Sequence, residues 1–228
     1  MKTLVLYHFW KQNQRVDFFV KHGIFHDPNV DFIIISNSNE INFEVPPYVK
    51  TLKRKNIGYD FGGWSDALLN NNLYKGYTHF IFINCSVFGP FVKGTTKKWT
   101  DFFIEGLKDN IGIFGSTINC PGQSISIKDC HVQSYAFTIN KTILEYLMKN
   151  NIFTKRYART MREAIWKERS MTKLVCHIGK NIGCLIPCLK DFNFINPNKF
   201  NMHDRKFSKN TKRAITSGES QSQKYMNR

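Results

Sequence analysis

The chain has 228 residues, 42% hydrophobic and 14% aromatic with 20 Phe, enough apolar volume to fill one core without disulfide or metal staples and too much for a chain disordered throughout. Its net charge of +16, from 33 Lys and Arg against 17 Asp and Glu, asks for an anionic partner and leaves nucleic acid, an acidic membrane surface and phosphorylated small molecules open. No apolar run approaches the roughly 18 to 20 residues that span a bilayer, and the apolar N-terminal run, interrupted by His8 and followed by polar residues from Lys11, reads as a buried strand rather than a signal peptide.

Residues 3–9 are mostly apolar, as in a central parallel strand. Val16, Phe19, Val20 and Ile24 then recur at helical spacing across 13–25, and 31–35 is a second apolar run closed by Ser36, Asn37, Ser38 and Asn39. Strand, helix and strand imply a right-handed parallel crossover. Pro46 and Pro47 break the chain before a short third strand at 48–53. A glycine-rich turn leads to a helix expected at 64–73, a fourth strand at 78–83, an amphipathic helix at 97–107 and a fifth strand at 111–117. The loop at 119–128 reads as a surface excursion or an acceptor-side flap. Residues 132–139, VQSYAFTI, alternate like an edge or antiparallel strand, and Asn140 caps a helix reaching about Lys149. Two further helices are expected at 156–168 and 171–180, then a last strand at 181–186.

These elements predict a single α/β domain over residues 1–198, a mostly parallel central sheet flanked by helices with one late antiparallel strand. Residues 199–228 hold eight basic residues against Asp204 and Glu219 and read as a basic, flexible tail able to dock on anionic lipid. The six cysteines, at 85, 120, 130, 176, 184 and 188, show no CxxC pair and no zinc spacing. They read as buried free thiols of a reducing compartment, hence a cytoplasmic protein.

Polar Asn84, Cys85 and Ser86 directly follow the apolar run 80–83. A strand buried on both faces has no use for them, so they mark its exit from the core, where open α/β sheets bind ligands. In the preceding turn, Gly58, Gly62 and Gly63 permit positive φ and close approach of backbone to a ligand. The turn has neither the GxGxxG spacing nor a following GK[ST]. Asp60 within it either caps the next helix or meets a ligand. Tyr7, Phe9 and Trp10, around the end of the first strand, either stack on a base or pack the core. His131 and Ser134 belong to the late strand and its approach. Glu168, taken alone, reads as a surface partner of Lys167 or Arg169.

The stretch NIGYDFGGW at 56–64, followed by FINCSVFGPF at 82–91, resembles the rhamnan-synthesis F-type glycosyltransferases and their relatives in bacteria, algae and large DNA viruses. VQSYAFTIN is similar to that family's V-x-S-x-x-F strand, and Glu168 with Thr172, then Gly179 to Ile182, to its E-x-x-x-[ST] and G-x-x-I segment. The resemblance spans residues 1–190 and implies a GT-A-like fold that moves a sugar from a nucleoside-diphosphate sugar to a glycan or other hydroxyl acceptor, in polysaccharide or surface-glycan synthesis. On this resemblance Asn56, Gly58 and Asp60 lie by the nucleotide, and Asn84, Cys85 and Ser86 by the diphosphate or donor sugar; Tyr7 joins the donor side if it is a stacking residue and not core. Glu168 is then the general base, and His131 and Ser134, from their place on the late strand and its approach, either face the acceptor or are ordinary surface residues. GT-A enzymes usually hold Mn or Mg on the diphosphate with an Asp-x-Asp pair at the place of Asn84 to Ser86. Both acids are missing here, so either the ion is held otherwise, through Asn84 or Ser86, or cationic side chains neutralise the phosphates. Two other readings stand beside this one: a basic nucleic-acid-binding protein, against which the aromatics are not interleaved with Lys and Arg, and an inactive transferase fold kept as an adaptor.

Overall fold

A computed structural model describes residues 1–38, 40–92, 94–119, 130–189 and 192–195. The expectations for the 119–128 loop past Asn119, for the basic segment from Lys199 and for a domain end at 198 lie outside these residues.

In chain order the elements are β1 (Thr3–Phe9), α1 (Gln14–His22), β2 (Val30–Ser36), β3 (Lys50–Lys53), α2 (Tyr59–Leu69), a 3-10 stretch (Asn70–Gly76) and β4 (His79–Asn84). There follow α3 (Trp99–Glu105), β5 (Ile111–Gly115), β6 (Ile118–Asn119), β7 (His131–Val132), β8 (Ala136–Asn140), α4 (Lys141–Lys149), α5 (Met161–His177) and β9 (Asn181–Cys184). Seven strands form one sheet in the order β3-β2-β1-β4-β8-β5-β9, and β6 and β7 make a separate antiparallel pair. β1 to β4 are mutually parallel and β9 is parallel to β5. β8 runs antiparallel to both β4 and β5, so the late antiparallel strand lies inside the sheet and not at its edge.

Both sheet faces are covered, which is why the strands read as unbroken apolar runs. One face packs Leu4, Leu6, Phe80 and Phe82 with Trp64 of α2 and Phe137 of β8. The other packs Val5, Tyr7, Phe9, Ile81 and Ile83 with Phe19 of α1 and Trp99 of α3. Caps fix the helix starts: Asn13 accepts the N–H groups of Arg15 and Val16 before α1, and Asn140 that of Ile143 before α4.

Three element boundaries differ from expectation. α2 begins inside the glycine turn, because Gly63 lets the helix lie on β1: a Cβ there would sit 2.6 Å from His8 Cδ2. The run 132–139 is broken by a turn at Ser134 and Tyr135, which sends β7 to the small sheet and β8 to the large one. The two helices expected from 156 to 180 are one, α5. Thr160 Oγ1 caps it by accepting the Glu163 N–H, and buried Lys167, Met171, Thr172 and Val175 continue one inward side through the supposed break. Glu168 therefore lies in the middle of a helix.

Cys85, Cys176 and Cys184 are free thiols, whereas Cys130 is disulfide-bonded. That corrects the expectation of thiols throughout and removes Cys130 from the argument for a reducing compartment. Among the described residues no helix is long and apolar enough to cross a membrane.

Candidate active site

The exit of β4 is held from three sides. The Asn84 side chain donates through Nδ2 to Asp60 Oδ2 at 2.5 Å and accepts the Ser86 N–H at 2.9 Å through Oδ1. The Cys85 N–H donates to the His8 carbonyl at 2.9 Å, and Arg15 Nη1 to the Ser86 carbonyl at 2.9 Å. Asn84 to Ser86 thus form a fixed turn at the end of a central strand, open to a cleft of about 480 Å³.

Asp60, in the first turn of α2, forms the deep wall. Its Oδ1 lies 3.1 Å from Nδ1 of His8, a residue 2% exposed on β1. Burial pushes the Asp60 carboxyl up, but the His8 imidazole and the Asn84 amide outweigh it and hold it below the usual carboxylate range. The Cys85 thiol is pushed up, chiefly by burial, which keeps it protonated and a poor nucleophile or metal ligand.

A further wall is α5. Glu168 Oε1 accepts the Ser134 N–H at 2.6 Å, and Oε2 lies 3.7 Å from His131 Nε2. The turn between β7 and β8 therefore aims this carboxylate, whose side chain is 18% exposed. Lys167 is not its partner: its Nζ donates to the carbonyls of Asn151 and Ile152 at 3.1 and 2.7 Å, and burial lowers its pKa.

Of the residues singled out in the sequence, Asn56, Asp60, Asn84, Cys85, Ser86, Ser134 and Glu168 line this one cleft. His131 backs Glu168 from a buried position. Gly58 lines an adjoining hollow that shares Asn56 and Tyr59 with the cleft. Tyr7 does not reach either: strand alternation points it to the opposite face, where its ring stacks on Phe19 at 4.0 Å, 1% exposed. Phe9 shares that side, and Trp10, 57% exposed, stands at the cleft mouth. The sequence reading missed His8, whose signal was a polar ring inside an otherwise apolar strand. It also missed Asn37, which accepts from Arg54 Nη1 at 2.6 Å and donates to Asn56 Oδ1 at 3.3 Å.

The donor set does not suit a hard divalent cation. Such an ion wants several carboxylate or carbonyl oxygens converging on one point. Asn84 Oδ1 is turned to its own backbone turn, both Asp60 oxygens face His8 and Asn84, and one oxygen of the other cleft carboxylate, Glu168, is taken by the Ser134 N–H. Among the described residues no three His, Cys, Asp or Glu side chains cluster as metal ligands would.

What the cleft can do is hold a polar ligand against a fixed strand-end turn, between one carboxylate kept ionised and another steered by a backbone N–H. No family model and no curated protein matches the chain.

Proposed function

We propose that the chain is a glycosyltransferase of GT-A type, moving a sugar from a nucleoside-diphosphate sugar to a hydroxyl on a glycan or other acceptor. One observation carries the reading: the strand-end turn Asn84 to Ser86 and two carboxylates contributed by elements far apart in the chain, Asp60 and Glu168, line the same cleft. The resemblance to rhamnan-synthesis F-type transferases, read from motifs at those same positions, supports it.

Glu168 is the general base. An acceptor oxygen attacks the anomeric carbon, its proton passes to the Glu168 carboxylate, and the bond from that carbon to the diphosphate oxygen breaks, releasing the nucleoside diphosphate. The Ser134 N–H holds one Glu168 oxygen, and the other, 3.7 Å from His131 Nε2, takes the acceptor's proton. Asp60 and Asn84 orient the donor, and Trp10 offers an exposed ring on which a base or sugar can stack.

The test is release of nucleoside diphosphate from a panel of UDP-, GDP- and dTDP-sugars, with and without glycan acceptors. Glu168→Gln keeps an oxygen for the Ser134 N–H, so it is expected to bind donor normally while turnover falls by roughly 10² to 10⁴. Absence of donor binding across the panel, or a fully active Glu168→Gln variant, would sink the reading.

A further inference from the structure

The hollow beside the cleft measures about 800 Å³ and shares the Asn56 and Tyr59 walls with it. Its remaining walls are Ile57 and Gly58, before α2, and the run 155–159 that leads into α5. Lys155, Arg156 and Arg159 give it three cations, and no carboxylate lines it. Among the described residues none of these three side chains makes an ion pair or a hydrogen bond.

Acids on the adjoining elements are engaged. Glu163 accepts the Arg159 backbone N–H at 2.7 Å, and Asp66 accepts from Arg54 Nε and the Tyr157 hydroxyl, each at 2.7 Å. α2 starts at the rim with Gly58 as its N-cap, at φ +81°, which supplies no side-chain acceptor to the helix's first turn. Three like charges whose side chains make no ion pair repel one another, and an anion with several oxygens relieves them. At the strand exit, by contrast, the side chains suit no divalent ion.

We propose that this hollow binds a diphosphate whose charge is balanced by Lys155, Arg156 and Arg159, with no divalent cation required. The proposal rests on reading the adjoining cleft as the donor site. The shared wall at Asn56 and Tyr59 lets one nucleoside diphosphate extend across both spaces. A phosphorylated acceptor carries the same chemistry.

The experiment titrates the full chain with inorganic pyrophosphate by calorimetry at fixed ionic strength, in EDTA and then with MgCl2 or MnCl2. Binding is expected in EDTA. Arg156→Ala with Arg159→Ala, both exposed positions, weakens it about tenfold or more, since each lost charged hydrogen bond is worth that order. Lys21→Ala with Lys108→Ala removes equal charge from exposed positions elsewhere and leaves it unchanged. Binding seen with metal alone, or equal weakening in both double variants, overturns the proposal. Displacement of pyrophosphate by UDP, GDP or dTDP assigns the hollow to the donor, and simultaneous binding of both assigns it to a phosphorylated acceptor. Donor turnover without pyrophosphate binding defeats this inference while leaving the transferase reading intact. Pyrophosphate binding without turnover does the reverse.

Discussion

Asp60 is held by two partners that reach it from neighbouring strands, His8 of β1 and Asn84 of β4. A carboxyl whose folded pKa is depressed contributes its stability at all pH values above the unfolded value, about 4, and loses it as the pH falls through the lower folded value. Asp60→Asn should therefore destabilise the protein by about 1.5 to 3 kcal/mol, the scale of a hydrogen bond to a charged group. The gap from wild type should stay constant from pH 8 to about 5 and close below about 4. Urea denaturation of both proteins across that range measures it, and a gap that widens towards acid would contradict the role given to the charge. The Asn84 to Ser86 turn was legible because polar residues closing an apolar run have few places to go, and Asp60 because it is an acid set among the glycines of a turn. His8 and Tyr7 were not: alternation puts them on opposite faces, but in a strand buried on both faces nothing in the hydrophobic pattern fixes which face fronts the cleft. The parity that turns His8 to the cleft is set by α2 packing on β1, a long-range contact.

Helix α2 joins the fold to the site through one close approach. Gly63 sits in mid-helix, where Ala is favoured by up to about 1 kcal/mol on propensity. Its Cβ, however, would lie 2.6 Å from His8 Cδ2 and 3.1 Å from Ile35 Cγ2. Overpacking of this kind costs roughly 1 to 3 kcal/mol, so the clash outweighs the propensity gain. Gly63→Ala is expected to lower the melting temperature by several degrees, at about 2 to 4 °C per kcal/mol for a chain of this size. Because it also displaces the ring beside Asp60, donor affinity should fall with it. Gly76→Ala, with nothing within 4 Å of its added Cβ, is the comparison and should melt with the wild type. Equal melting temperatures for the two variants would mean that α2 is not seated on β1 in this way. Strands 3–9 and 31–35 were readable as elements because burial on both faces leaves a continuous apolar run. The break at Ser134 and the continuity of α5 were not, since the first depends on a hydrogen bond to Glu168, 34 residues away, and the second on packing that no capping or breaking residue announces.

Two parts of the chain concentrate positive charge, the hollow beside the cleft and the C-terminal segment. Residues 208–228 carry five basic residues and one acidic one, so removing them leaves the chain at +12. If that segment is the general polyanion contact, its loss should flatten the dependence of single-stranded nucleic-acid binding on salt. Five phosphate contacts correspond to a log–log slope of up to roughly 3.5, while the three cations of the hollow account for about 2. The described residues are poorly supplied with base-stacking surface: Trp64 and Trp99 are 0% and 5% exposed, and only Trp10, Tyr48 and Trp166 present large exposed rings. The chain lacking 208–228 is therefore expected to keep its nucleoside-diphosphate affinity and to bind a single-stranded oligonucleotide weakly, with a residual slope no steeper than about 2. Fluorescence anisotropy at a series of salt concentrations gives both numbers on one sample. A truncated chain that still bound the oligonucleotide tightly, with a slope well beyond what the hollow supplies, would make nucleic acid the partner of the folded domain and the charge around the cleft a nucleic-acid surface.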